Sequence, residues 1–495
     1  MINITNNVQI KSNCLKISED IIFNYILYYL DRSDCKRSSL VLFFAHEIFV
    51  FFLTAHARSL SNDSWENNTG TKNIRFGYRG SRNVFSAQRS RKAQILDFLS
   101  ILVCSTSIFR PVLIGCTSYN RIQLIKDLVK KRHFPIFNEI FNRDFQIPNF
   151  EKEIFNLKSL VNDLCDYFNF SEFEKKSLSN EVETIANTLF LYSTHKPKFL
   201  QKKIIKARDN LLKKSKYAVI GSGANFHNRL LSFLAVQYGV PVRCILHNGE
   251  CGLTDIPINA VDDWAIADYM IGYGPAGERH AISSEYISRL SEAKYITSGS
   301  YLNSINDLHL RDDRKSKWKN LEDMIYTGRG LYVESRLRTE NFITDASTYF
   351  DIKDEIKWRE FLYNNLPNLH IKPHPKGNVD INVFDAQKYE FRRLDLAIND
   401  YDFLLFDNAC SSAFTHVALN RIPVLLVERN IFESFSLEGI EYINSRCSVF
   451  SSRSVFQNYF DRCGLSSFTV GYDSPQDFMV KEQQRSQYKL AIEAI

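Results

Sequence analysis

The first 200 residues place apolar and polar positions mostly at helical spacing. The segments 150–168 and 176–193 repeat apolar residues every three or four positions with charged residues between them, which predicts two amphipathic helices. One short apolar run, RPVLIGC at 110–116, is the strand candidate of this region. The pattern therefore predicts a helix-rich N-terminal elaboration.

The window from Ser39 to His56 is the most apolar part of the chain. It is about a turn shorter than a comfortable membrane span and carries His46 and Glu47 at its middle, where ionisable groups are costly in a bilayer. We interpret it as a buried helix, with peripheral association at a membrane surface as the minor alternative. The polar start MINITNNVQIKSN lacks the basic and apolar regions of a secretory signal.

From about residue 215 the pattern changes to short apolar runs separated by helical spacers. Alternation of strand and helix implies a parallel sheet covered on both faces. The GSG at 221–223 lacks the third glycine of a dinucleotide-binding fingerprint, which disfavours a nicotinamide or flavin cofactor. The strand candidates are 216–223, 241–252, 268–274 and 293–300 and then 328–336, 369–373, 402–407 and 422–428.

A polar, highly charged segment at 302–320 separates the two series of strand candidates. We therefore predict an α/β chain with two Rossmann-type domains that face a cleft. The expected boundaries are 1–310 for the first domain, helix-rich to about 210, then a linker at 311–327 and a second domain at 328–495.

Composition narrows the functional classes. Hydrophobic residues make up 44% and charged residues 24% of the chain, which is typical of a globular protein with a sizeable core. A net charge of +6 is small for 495 residues and argues against a dedicated nucleic-acid binder. The ten cysteines form no CxxC pair, so we expect a reduced, cytoplasmic protein.

The segment LHIKPHPKGN holds His374 between Pro373 and Pro375, with Lys372 and Lys376 outside them. Proline fixes φ and pushes the preceding residue toward extended backbone, so the two rings stiffen the loop around the imidazole. An imidazole flanked by two lysines suits an anionic ligand, and phosphate is the obvious candidate. The alternative is a surface turn that merely ends a strand.

A second phosphate-binding candidate lies in DFLLFDNACSSAFTHVALNRIPVLLVE, 402–428. A strand leads into the loop DNAC, and Ser411 and Ser412 then open a short helix whose free amides would attract phosphate, unless the serines serve as caps alone. Both this loop and the His374 loop follow strands of the same half. They should emerge at the same sheet edge and hold one phosphate from two sides.

These two motifs resemble the HP and SS/T motifs of bacterial sialyltransferases and polysialyltransferases, an arrangement shared with the Kdo transferases of capsule and lipopolysaccharide assembly. The resemblance implies a GT-B-like fold in which His374, Ser411 and Ser412 bind the phosphate of a CMP-activated sugar. It makes the first domain the acceptor side and the second the nucleotide-sugar-binding domain. The stretch from Asp407 through Pro423 is also similar to CDP-glycerol phosphotransferases of teichoic acid synthesis.

The catalytic carboxylate of such a transferase has candidates in LHNGECGLTD, 246–255. Glycosyl transfer needs a general base or a carboxylate nucleophile, and Glu250 or Asp255 would supply it with His247 as a polar neighbour. A solvent-facing turn is the alternative for this loop. Glu334 and Arg336 end the strand GRGLYVESR at the expected cleft edge, where Arg336 would pair with a sugar carboxylate unless it forms a surface salt bridge.

We therefore expect a metal-independent glycosyltransferase that moves Kdo, sialic acid or a related nonulosonic acid from a CMP donor. The acceptor would be a bacterial capsule or lipopolysaccharide glycan, free or lipid-linked, handled in the cytoplasm or at the inner face of the inner membrane. No cofactor beyond the donor and no nucleic-acid partner is expected. The VDDW at 261–264 is expected to be structural. The alternatives are a CDP-polyol phosphotransferase and a non-catalytic nucleotide- or glycan-binding partner.

Overall fold

A computed structural model describes residues 2–60, 110–115, 128, 133–137, 149–190, 209–246, 255–272, 275–297, 318, 320–334, 352–374, 383–407, 413–414, 422–427, 435–462 and 465. Within this part of the chain, the strands form two parallel sheets, one of six strands and one of five. The first sheet is formed by strands before residue 300 and the second by strands after residue 328.

The first sheet has the strand order β2-β1-β3-β4-β5-β6, so the order reverses between β1 and β3. Its third to sixth strands match the predicted apolar runs. The sequence pattern missed β2 because Pro135 lies in its middle, and proline is tolerated in a strand mainly at a sheet edge, where β2 lies. The strands are β1 Arg110–Ile114, β2 His133–Phe137, β3 Ala218–Ile220, β4 Val242–Ile245, β5 Tyr269–Gly272 and β6 Lys294–Thr297.

The second sheet has the order β11-β10-β9-β7-β8 and reverses between β7 and β9. The four longer strands fall in the predicted runs, whereas the three-residue β11 is too short to leave a sequence pattern. The strands are β7 Gly330–Val333, β8 Leu369–Lys372, β9 Phe403–Phe406, β10 Val424–Val427 and β11 Ser448–Phe450.

The helices in the described part of the chain cover these sheets or form the N-terminal elaboration. One of them, Leu321–Thr327, occupies part of the segment predicted as a linker and buries Leu321, Met324 and Ile325. The longer helices are α1 Ile2–Leu30, α2 Leu40–Leu60, α3 Phe150–Tyr167, α4 Glu172–Phe190, α5 Phe226–Gln237, α6 Pro275–Ser283, α7 Glu285–Leu290, α8 Leu321–Thr327, α9 Ile352–Asn365, α10 Leu437–Arg446 and α11 Arg453–Asp461. A short turn Pro257–Asn259 continues into a π-helical turn, Ala260–Trp264.

Helix α2 is buried, as its apolar sequence predicts. Phe44, Ile48 and Phe52 are each at most 2% exposed and belong to an apolar cluster that also takes in α1, α3, α5 and one face of the first sheet. None of the described helices combines the length and the apolar character that crossing a membrane would require. Burial of this many aromatic groups fixes α2 against the first sheet and brings His46 and Glu47 into the protein interior.

The two faces of the second sheet bury different side chains, as the period of two along a strand requires. Leu331, Leu404 and Phe406 face the large apolar cluster that also contains first-half residues. Tyr332 and Leu405 face the opposite cluster, which the apolar sides of α8, α9 and α11 complete with Met324, Trp358, Leu362, Phe456 and Phe460.

The predicted fold class is confirmed. The chain has an α/β, GT-B-like fold with two Rossmann-type sheets and a helix-rich N-terminal elaboration. The boundaries proposed for the domains stay a prediction.

Candidate functional site

Two buried carboxylates mark the point where the strand order of the second sheet reverses. Glu334 directly follows β7 and Asp407 directly follows β9, and they are 7% and 0% exposed. The Glu334 backbone N–H donates to the carbonyl of Lys372 over 3.1 Å, which extends the β7–β8 ladder by one residue. In open α/β sheets, ligands bind outside the carboxyl ends of the strands at such a reversal.

Glu334 connects the sheet to the His374 loop. Its Oε2 accepts a hydrogen bond from the backbone N–H of His374 over 3.2 Å, and its Oε1 accepts from the guanidinium of Arg359 on α9. Arg359 is only 2% exposed, so this ion pair is almost fully desolvated. The carboxylate therefore holds the loop after β8 against the end of β7.

The network continues across the sheet edge to Asp407. Arg359 Nε donates to Glu355 Oε1 over 3.1 Å, and Arg453 at the start of α11 donates to Glu355 Oε2 over 2.7 Å. Arg453 lies 3.5 Å from Asp407 Oδ2, which also accepts from the Tyr332 hydroxyl over 2.7 Å. One chain of charged groups, buried except for the partly exposed Arg453, thus links the ends of β7 and β9 to helices α9 and α11.

The network holds three carboxylates against two guanidinium groups. Burial disfavours a charged carboxylate, and although Arg359 opposes this effect, Glu355 and Asp407 reinforce it, so the pKa of Glu334 rises to about 7. The site can therefore hold one proton near neutral pH. That proton removes the excess negative charge.

The structure brings some of the predicted donor-site residues together. His374 lies in the loop after β8, as predicted, and contacts Glu334. Lys372 directs its ammonium group to the carbonyl of Arg392. Ala413 and Phe414 are helical, in agreement with a helix at this point of the chain. Pro375, Lys376, Arg336, Ser411 and Ser412 lie outside the described residues.

Of the predicted catalytic residues in the first half, only Asp255 is described. Its Oδ1 accepts from the Ser284 hydroxyl over 2.5 Å and lies 3.8 Å from Nε2 of the buried His280. Ser284 also caps α7 by accepting from the Ile287 N–H. These contacts tie Asp255 to a helix start. His247 and Glu250 lie outside the described residues.

The first sheet carries a polar cluster of its own after β3. His46 Nδ1 lies 2.7 Å from Asp262 Oδ2, and the adjacent Glu47 accepts from the guanidinium of Arg229 on α5. Arg229 also donates to the carbonyl of Gly223 over 2.8 Å. In the sequence alone, His46 and Glu47 argue only against a membrane span. Their position inside a buried apolar helix was the signal that they must have partners.

Comparisons with known proteins give a fold-level likeness. No family model matches the chain, and no curated protein sequence matches it. UDP-N-acetylglucosamine 2-epimerase from Rickettsia bellii is 13% identical and matches over 78% of this chain and 95% of its own, with a TM-score of 0.39. The UDP co-structure of MnaA from S. aureus is also 13% identical, over 75% of this chain and 94% of its own, with a TM-score of 0.34. These scores are too low to carry an argument about substrate or reaction.

Proposed function

We propose that this protein is a glycosyltransferase that uses a nucleotide-activated sugar and binds the donor phosphate at the carboxyl ends of β7, β8 and β9. The observation that carries the proposal is the hydrogen bond from the His374 N–H to Glu334 at the reversal of strand order. It attaches the proline-flanked loop to a site where α/β folds bind their ligands.

The attachment of this loop supplies preorganisation. The His374 amide is occupied by Glu334, and Pro373 precedes it with a fixed φ, so the backbone under the imidazole loses little freedom when a ligand binds. A donor aimed in advance at the leaving phosphate is worth more in a buried site than in water. This supports a role for His374 as a ligand of the donor phosphate.

Charge balance supports the same role. With all five groups ionised, the network behind His374 carries one excess negative charge, which would repel a phosphate. Because the pKa of Glu334 is raised to about 7, this carboxyl group can take up a proton near neutral pH, and the proton removes the excess charge. The network is then neutral and no longer repels a phosphate bound beside it. Each buried guanidinium still has a carboxylate partner.

The donor is a CMP-activated sugar, of the Kdo or sialic acid class, in this proposal. The HP and SS/T motifs support this choice, with Ser411 and Ser412 at the helix start that the sequence predicts and Lys372, Pro375, Lys376 and Arg336 as further donor-side residues. In the transfer step, the acceptor oxygen bonds to the anomeric carbon while the bond to the phosphate oxygen breaks. His374 stabilises the charge that appears on the leaving phosphate.

A melting-temperature screen with CMP, CDP, UDP and GDP tests the proposal, because a ligand of the native state stabilises it by RT ln(1 + [L]/Kd). We expect CMP to raise the melting temperature more than the other three nucleotides. At a hundredfold excess over Kd, a ligand adds about 2.7 kcal/mol to the unfolding free energy. Turnover of CMP-N-acetylneuraminate or CMP-Kdo should follow.

Other outcomes identify other functions. A response to CDP with turnover of CDP-glycerol would indicate a polyol phosphotransferase. A response to UDP with conversion of UDP-N-acetylglucosamine in the absence of an acceptor would indicate an epimerase reaction like that of the structural neighbours. Nucleotide binding with no turnover of any donor would indicate a binding partner. No response to any of the four nucleotides would contradict the proposed phosphate site.

A further inference from the structure

The carboxyl end of β3 carries a second buried polar centre that the donor site does not use. Gly223 lies so close to the π-helical turn that a Cβ on it would be 1.8 Å from the Asp262 carbonyl oxygen. The Gly223 N–H donates to Asp263 Oδ1 over 3.1 Å. The turn with both aspartates is therefore held directly against the end of the strand.

This centre lies where the strand order of the first sheet reverses. The carboxyl end of β1 is in contact with it, since a Cβ on Gly115 would meet Asn228 Oδ1 at 2.4 Å, and Asn228 Nδ2 donates to the Ser222 carbonyl over 2.9 Å. The edge between β1 and β3 is the position in the first half that corresponds to the β7–β9 edge in the second. Each half thus places ionisable side chains at its own reversal point.

Helix α2 brings an imidazole to this edge. Nδ1 of His46 is bonded to Asp262 Oδ2, and this is the one hydrogen bond that the ring makes to another described residue. The His46 side chain keeps 13% of its surface exposed, whereas most of the described residues of α2 are buried. An imidazole held by a carboxylate at one nitrogen and open at the other has the arrangement of a general base.

The other charged groups around His46 are held by hydrogen bonds to neighbours. Arg229 binds Glu47 and the Gly223 carbonyl, and Asp263 binds the Gly223 N–H. Oδ1 of Asp262 and Oε2 of Glu47 are buried and have no donor among the described residues. The charge of Asp262 is therefore balanced mainly by the imidazole, which favours its protonated form.

The pKa of His46 agrees with this geometry. Burial by itself lowers the pKa, and Arg229 lowers it further, but Asp262 and Glu47 outweigh both effects and raise it above the ordinary 6.5. Such a group takes a proton readily in the neutral range and releases it when the pH rises.

We infer that His46 is the general base of the transfer reaction and that Asp262 positions it. The acceptor oxygen bonds to the anomeric carbon, the bond to the phosphate oxygen breaks with its electron pair, and the hydroxyl proton moves to Nε2 of His46. This role rests on the proposed glycosyltransferase function. It differs from the sequence expectation, which placed the base at Glu250 or Asp255 and treated 261–264 as structural.

The test compares His46→Gln, which keeps a donor for Asp262 but cannot take the proton, with His56→Gln on the same helix. The His56 ring packs against Phe168 with centroids 5.3 Å apart, and ten residues separate it from His46, which is about 15 Å along a helix. With CMP-N-acetylneuraminate or CMP-Kdo as donor, we expect kcat/KM to fall about 100- to 10,000-fold in His46→Gln and by less than about threefold in His56→Gln. CMP affinity should stay unchanged in both variants.

The pH profile tests the positioning role. The wild-type kcat/KM should fall on the acid side with a pKa above 6.5, and Asp262→Asn should move that limb to lower pH because the imidazolium loses its counter-charge.

Equal turnover in wild type and His46→Gln, at equal melting temperature, would overturn the inference alone. Absence of CMP binding and of turnover in the wild type would overturn the proposed function and this role with it. If His46→Gln does not fold, the inference is tested by Asp262→Asn. It would be overturned if kcat/KM of that variant fell on the acid side with the same pKa as in the wild type.

Discussion

The His374 N–H donates to Glu334 Oε2 over 3.2 Å, and through this bond the loop after β8 is attached to the end of β7. The same carboxylate pairs with Arg359, which is anchored in α9. The position of His374, the candidate ligand of the donor phosphate, thus depends on a buried charge network. The network includes residues of helices that are distant from His374 in the sequence.

Removal of the central cation should destabilise the second half strongly. Arg359→Met leaves Glu334 and Glu355 without their shared buried partner, and loss of one member of a buried pair typically costs about 3–5 kcal/mol of unfolding free energy. Urea unfolding followed by tryptophan fluorescence, to which the buried Trp358 of the same helix contributes, measures the loss.

The matched control for this variant is Arg462→Met, at an exposed arginine just after α11. A surface arginine contributes about 0–1 kcal/mol, so the control should unfold near the wild-type urea concentration. Equal losses in the two variants would show that the network contributes no more than a surface charge.

The pKa of Glu334 predicts an unusual pH dependence of stability. Because it rises from 4.5 to about 7, the folded protein binds more protons than the unfolded chain between these values. The contribution of this group to stability therefore falls as the pH rises from about 5 to about 7. Glu334→Gln, a neutral mimic, removes that slope.

The measurement is the unfolding free energy of wild type minus that of Glu334→Gln at several pH values from 5 to 8. The difference should decrease as the pH rises. A difference that increases over this range would mean that the folded state favours the ionised carboxylate, as in an ordinary ion pair. Glu360→Gln, at an exposed position of α9, is the matched control for the removal of a carboxylate.

Two glycines of the first half should differ in their response to alanine. A Cβ on Gly223 would collide with the backbone of Asp262, and overpacking of this kind costs about 1–3 kcal/mol or more. Gly239 has φ +68° and open space, so alanine there costs only the left-handed strain of about 1–2 kcal/mol.

The readout that separates them is activity. Gly223→Ala displaces the turn that carries Asp262, so it should lower kcat/KM for the CMP donor at least tenfold by misplacing His46. Gly239→Ala should leave it unchanged, since Gly239 lies beyond the far end of α5. The reverse order of the two effects would speak against a functional role for the turn.

The sequence predicts three strands of the second sheet well, β7, β9 and β10, because they are short, fully buried apolar runs. FLLF and VLLV become β9 and β10 with every residue buried. The sequence does not predict β2, because Pro135 in its middle suggests that no strand continues there. It does not predict α8 either, because that helix lies in a charged stretch although it buries Leu321 and Met324.

The candidate site was predictable only in part. Its position after β8 follows from the pattern of LHIKPHP. Its network does not, because Arg359 and Arg453 have the sequence appearance of ordinary surface arginines on amphipathic helices. The burial of Arg359 and the partners of Arg453 depend on how α9 and α11 pack, which is a long-range property. The pairing of His46 with Asp262 spans 216 residues and leaves no local signal.

The most direct measurement is the CMP affinity of His374→Ala beside His370→Ala, by isothermal titration calorimetry. Both histidines lie in the same segment, but His370 is within β8 and contacts Arg329, whereas His374 is held at the site by Glu334. Loss of a charge-assisted hydrogen bond should weaken CMP binding about 10- to 100-fold in His374→Ala and leave it within about twofold of wild type in His370→Ala. Equal CMP affinity in wild type and His374→Ala would contradict the phosphate site.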